Sequence, residues 1–405
     1  MKKSAVIRVA TCLLAWFFLP FWYLEKLFKR DSNLWLFGSM NNKTDSDNCF
    51  VFFKYLHDNH KDKKIVWVTR FKVVYDKLLA LGYNVMMANS REGKKACLKA
   101  GVAFISQGAA ETNKKYINGI KQVFLWHGMP MKIIGCDAEK HENARISRTE
   151  RALRRLEKFS LPYLFNNKPT LFISTSDFFA PIFASAFKIN EKNVIPLGQP
   201  RNDVFFFNKS ESIVNQLNTR FNNPLKIFFM PTFRDNLTAS GKQFNPFDNF
   251  NFSAQKFNSF LEKNNVVFIY KGHNHEGIVN IFNQLGERFV IVSPQNCEDP
   301  YTLLKDIDIL MTDYSSVYFD FLLLKKPVIL ATFDYDDYLK ESRPFYFDYK
   351  KEIDGMKVND WNEFMDVVEN QRYYIPSEET FNKFHKFSDG KSSERLFNYL
   401  SENLH

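Results

Sequence analysis

Short apolar runs alternate with helical stretches for most of the chain, an order that a parallel sheet flanked by helices satisfies best. Residues 33–38 are strand-like, and 48–60 carry Phe50, Phe53 and Leu56 at helical spacing. Strands at 65–69 and 85–87 bracket a helix at 73–81. A helix at 91–100 and strands at 102–106, 121–126 and 169–175 follow. The alternation restarts with strands at 225–229, 266–270, 289–292, 307–311 and 328–330. Two doubly wound, Rossmann-like α/β domains facing a cleft fit the 405 residues. The expected division is 1–32, an apolar and basic leader; 33–195, a first domain; 196–375, a second; and 376–405, a helical segment.

Chemistry-bearing residues collect where strands end. Thr312-Asp313-Tyr314-Ser315-Ser316 turns one apolar strand into an apolar helix. Hydroxyls and free N–H groups at such a turn bind phosphate, although Asp or Ser there also serves as an ordinary N-cap. His127 follows a strand and precedes Gly128, which lets a ligand approach the backbone. An imidazole so placed suits general-base work. Lys271 and His273 flank Gly272 after the strand at 266–270 and point the same way if that strand continues. His273 and His275 could be read as a metal pair, but no Cys or carboxylate cluster at zinc spacing stands nearby. Two Pro-containing turns present Arg201 and Arg234, whose forks match phosphate oxygens or, more plainly, the neighbouring Asp203 and Asp235.

Taken in order, Trp126-His127-Gly128, Gly198 to Asp203, Met230 to Asp235, Tyr270 to His273 and Thr312 to Ser316 resemble the CDP-glycerol glycerophosphotransferases. The resemblance runs from about residue 34 to 355 and takes in Trp35 to Ser39 with Asp47-Asn48, and Arg343 to Tyr349. Asn274 stands where that family has Pro. The resemblance implies a GT-B-like pair of domains, an acceptor domain first and a CDP-polyol domain second. It implies transfer of glycerol phosphate, or another polyol phosphate, to a membrane-linked hydroxyl in teichoic-acid-like or capsule polymer synthesis. His127 and His273 would be catalytic, the first as base. Gly128, Arg201, Thr232, Arg234, Lys271, Asp313, Ser315 and Ser316 would bind donor, with no resident cofactor or metal. Glycosyl transfer from a nucleotide sugar and non-enzymatic polyanion binding are the rival readings.

Net charge +10 suits anionic partners without choosing among them, and no nucleic-acid motif is present. Five scattered Cys with no C-x-x-C argue for reduced thiols. Residues 9–24 carry no charge and are flanked by Lys and Arg. They are short for a span and are interrupted by Pro20. Aromatics such as Trp16 and Trp22 favour a monotopic anchor on the cytoplasmic leaflet; a helix buried against the domain is the alternative. Arg145, Arg148, Arg151, Arg154 and Arg155 recur along one helical face. That face reads as a solvated surface or as a contact for anionic membrane or acceptor.

Overall fold

A computed structural model describes residues 5–38, 47–165, 168–206, 212–232, 245–247, 249–272, 279–293, 299 and 301–404. It divides into two compact units. One comprises Met1–His127, Ile134–Asp203 and Lys391–His405; the other comprises Gly128–Ile133 and Val204–Gly390.

The first unit holds strands β1 (Asp31–Phe37), β2 (Lys64–Thr69), β3 (Val85–Met87), β4 (Ala100–Ile105), β5 (Lys121–Phe124), β6 (Leu171–Ser174) and β7 (Val194–Pro196). They pair in the order β3-β2-β1-β4-β5-β6-β7, every pair parallel. Strands buried on both faces are predominantly apolar, as in β4; β5 and β6 also bury the polar Gln122 and Ser174. Phe37 stacks on Phe104 at 4.5 Å, joining β1 to β4. The core also takes Leu396 and Leu400 from the helix Ser392–Asn403. Asp203 caps that helix by accepting from Ser392 N and Ser393 N, both at 2.8 Å.

The second unit holds β8 (Leu225–Met230), β9 (Val266–Tyr270), β10 (Phe289–Ile291), β11 (Ile309–Thr312), β12 (Val328–Ala331) and β13 (Met356–Val358). Their order, β10-β9-β8-β11-β12-β13, is again all parallel, with the winding reversing between β8 and β11. Doubly wound sheets hold ligands beyond the strand ends at that reversal. Of the loop expected over 238–252, residues 238–244 and 248 lie outside the described residues; Phe247 is buried and stacks on Trp361 at 5.1 Å.

The expected C-terminal helical segment is two helices serving different units: Glu378–Phe384 in the second, Ser392–Asn403 in the first. The expected arginine helix is also two. Gly135–Arg145 ends, and Ser147 caps Arg148–Ser160 by accepting from Glu150 N at 3.1 Å.

Helices Ala5–Ala15 and Leu19–Leu24 precede β1. Among the described residues no single helix is long and apolar enough to cross a membrane; Ala5–Ala15 with Leu19–Leu27, bent by 55°, passes that test only as a pair. The first of these helices lies against Arg148–Ser160. Arg8 donates to Glu157 at 2.6 Å and Glu150 at 2.8 Å, and Trp16 Nε1 donates to Ser160 Oγ at 2.9 Å. Cys12, Ala15 and Leu161 form a small buried cluster there.

Candidate active site

At the end of β5 the backbone of Trp126 turns into the left-handed region, φ +56°, a conformation that costs a bulky residue energy. Surrounding contacts hold it. The indole packs against Phe172 and Phe187, and its carbonyl accepts from Asn48 Nδ2 at 2.8 Å. The turn swings His127 off the strand line. Gly128 follows at φ +139°, which an L side chain rarely adopts.

The His127 ring is fixed by one hydrogen bond: Nδ1 lies 3.1 Å from the Ser106 carbonyl oxygen, beyond β4. A carbonyl only accepts, so this geometry assigns the proton to Nδ1 and leaves the Nε2 lone pair bare. Nε2 has no partner among the described residues. Burial lowers the imidazole pKa below its ordinary value, opposed by Asp47 and the Ser106 carbonyl. A neutral ring with an exposed lone pair is a base.

Arg201 is tied to the main chain of His127. It is 5% exposed and in the first unit. Nη1 donates to Asp47 Oδ1 at 3.0 Å and to the His127 carbonyl at 2.8 Å, while its backbone N donates to Asn48 Oδ1 at 3.0 Å. Through Nη1 the guanidinium holds the His127 main chain to Asp47. Its neighbour Asp203 does not pair with it but caps the helix Ser392–Asn403.

In the second unit the ends of β8 and β11 are tied at the reversal point. Asp313 Oδ1 accepts from Thr232 N at 2.7 Å, Thr232 Oγ1 at 2.5 Å and Tyr314 N at 2.6 Å. Tyr349 Oη donates to the Asp313 carbonyl at 3.0 Å. Asp313 is thus buried and organises the turn. The turn offers outward the half-buried Ser315 and Ser316, whose hydroxyls have no partner among the described residues, at the start of helix Val317–Leu322. Lys271, just past β9, is half-buried, and its ammonium has no partner among the described residues. Arg234 and His273 lie outside the described residues.

The residues expected at a membrane or acceptor divide. Trp22 is 8% exposed, and its carbonyl accepts from Asn118 Nδ2 at 2.6 Å, so its ring is core rather than anchor. Trp16, Phe17, Phe18 and Phe21 are exposed, as is Phe159. Arg148 and Arg155 are exposed; nothing is described of the Arg145 side chain. A groove of about 1180 Å³ is lined by Arg151, Arg154, Arg155 and Lys158 against Glu150 and Glu157. Sequence reasoning missed Ser106 and Glu111; Gly108 three residues before Glu111 is the turn signal available there.

A sequence profile described as CDP-glycerol:poly(glycerophosphate) glycerophosphotransferase matches residues 21–402. A teichoic acid glycerol-phosphate transferase of Staphylococcus aureus is 29% identical over 385 residues, covering 90% of this chain and 92% of that protein. The teichoic acid ribitol-phosphate polymerase TarL of the same organism is 34% identical over 229 residues, 54% of this chain. The chain spans 39% of that polymerase and 42% of a second, TarK. The solved structure of the wall teichoic acid polymerase TagF superposes with TM-score 0.66 at 21% identity, over 100% of this chain and 98% of that one. The fold is therefore a pair of parallel-sheet α/β units of the GT-B-like kind.

Proposed function

The chain belongs to the CDP-glycerol:poly(glycerophosphate) glycerophosphotransferase family, and from that premise we propose that it transfers glycerol phosphate, or another polyol phosphate, from CDP-glycerol or its analogue to a hydroxyl of a lipid-linked or polymer acceptor. The Nδ1-protonated, Nε2-bare His127 carries this reading. Nε2 takes the acceptor hydroxyl's proton as its oxygen forms a bond to the phosphorus bearing the polyol. The bond from that phosphorus to the CMP oxygen breaks, and CMP leaves. Phosphoryl transfer needs mainly placement and charge neutralisation. Ser315, Ser316 and Lys271 supply these for the diphosphate, on a turn held by Asp313 and Thr232. Arg234 and His273 would add charge and a leaving-side donor. No resident cofactor takes part.

The acceptor and its membrane belong to the same proposal. The exposed aromatics of residues 16–21 and Phe159 suit the headgroup boundary of the cytoplasmic leaflet, and the arginine-lined groove suits a phosphate-bearing acceptor in a teichoic-acid-like or capsule pathway. The deciding experiment is CMP release from CDP-glycerol with membranes supplied as acceptor. Wild-type release should depend on acceptor and fall about 10²–10⁴-fold in His127→Ala, with CDP-glycerol still bound. Near-normal turnover by His127→Ala overturns the base assignment; release only from a nucleotide sugar overturns the donor.

A further inference from the structure

Glu111 is 2% exposed, and its carboxylate gathers three consecutive backbone donors. Ser106 N donates to Oε2 at 2.7 Å, Gly108 N to Oε1 at 3.3 Å, and Gln107 N to Oε1 as well. The middle contact matters most. Gln107 N–H and Ser106 C=O belong to one planar trans peptide, so they point in opposite directions. Holding that N–H on the carboxylate aims the Ser106 oxygen the other way, at His127 Nδ1. Charge acts in the same sense, because a carboxylate on the N–H polarises the peptide and makes its oxygen a stronger acceptor. The site is built tightly around this loop: a Cβ on Gly38, at the end of β1, would stand 2.4 Å from the Glu111 carbonyl oxygen. Ser106 Oγ is held as well, at 3.1 Å from Cys49 Sγ.

Building on the reading of His127 as the base, we propose that Glu111 is its positioning residue, acting through the Ser106–Gln107 peptide to keep the ring in the Nδ1–H form. It is a carboxylate–imidazole pair with a peptide group interposed. A carboxylate is required because all three donors need acceptors. A glutamine offers one oxygen and turns an NH2 against an N–H. Burial raises the Glu111 pKa to about 8 against the pull of the three N–H groups, so the carboxylate, and the kcat it supports, should fill in as pH rises through 8.

Three measurements test this. Glu111→Gln should lower kcat roughly 10-fold or more while KM for CDP-glycerol moves less than about twofold, since one lost charge-assisted bond corresponds to about 1.5–3 kcal/mol. Glu111→Asp, which keeps the charge on a shorter arm, should recover part of kcat. In ¹⁵N-histidine-labelled wild type, with His127→Asn identifying the signal, His127 should show protonated Nδ1 and bare Nε2; Glu111→Gln should shift it toward the Nε2–H form. Wild-type kcat in Glu111→Gln overturns the proposal, as does an Nε2–H ring in the wild type, a measurement that stands even if the variants do not fold. An inactive His127→Ala beside a fully active Glu111→Gln removes Glu111 alone and leaves the base assignment intact.

Discussion

The buried Arg201 guanidinium meets Asp47 and the His127 carbonyl together through Nη1. Removing it strands a half-buried carboxylate. Arg201→Met should therefore destabilise the first unit by about 3–5 kcal/mol in urea unfolding and lower kcat more than donor affinity. Glu25 offers a second residue-scale expectation. Burial pushes its pKa up to about 7, opposed by Asn118 N–H and Arg30. Between the ordinary carboxylate range and pH 7 the folded chain keeps a proton that the unfolded chain releases, so stability falls as pH rises through that window. Melting temperatures of wild type and Glu25→Gln, compared from pH 4.5 to 7.5, should separate progressively, the wild type losing ground. His127 was singled out in the sequence because it ends a strand and precedes Gly128, and the structure holds its ring by the Ser106 carbonyl. The tie of Arg201 to Asp47 was not legible, since that partner lies 154 positions away. Glu111 was not legible because its effect passes through a peptide plane.

The turn from β11 into helix Val317–Leu322 concentrates donor chemistry at the point where the second sheet reverses. If Ser315 and Ser316 hold the diphosphate as proposed, each hydroxyl bonded to a charged phosphate is worth about 1.5–3 kcal/mol. Ser315→Ala and Ser316→Ala should each raise the CDP-glycerol dissociation constant about 10- to 100-fold by calorimetry, with the melting temperature unchanged. An unaltered constant in both would move the donor elsewhere. At this scale the sheet strands were plain in the sequence, because strands buried on both faces are continuously apolar. The break at Ser147 was hidden by arginines that keep a three- and four-residue spacing across it. Ser147-x-x-Glu150 was the signal: a capping sequence inside an apparently continuous helix.

At the scale of the whole chain, helices Ala5–Ala15 and Leu19–Leu24 leave an apolar face uncovered, Phe17 being 78% exposed. If that face meets lipid, the protein should sediment with vesicles rich in anionic lipid and release as salt rises. Replacing Phe17, Phe18 and Phe21 with Ser should abolish sedimentation without lowering the melting temperature, and a wild type that stays in the supernatant would end the membrane assignment. The two doubly wound units were evident from alternation alone. Their composition was not, because the helix Ser392–Asn403 reaches the first core only through contacts distant in sequence.

That late helix has a consequence for biosynthesis. The first unit is threaded through chain positions on both sides of the second, so a ribosome finishes the second unit before it supplies Leu396 and Leu400. Until then β1 to β7 lack part of their packing, and Asp203 lacks the amides it caps. The unit that carries His127 thus matures last, although its strands are made first. A nascent chain stalled before residue 391 would carry a finished second unit and an unfinished first one, the stage at which it most needs a chaperone.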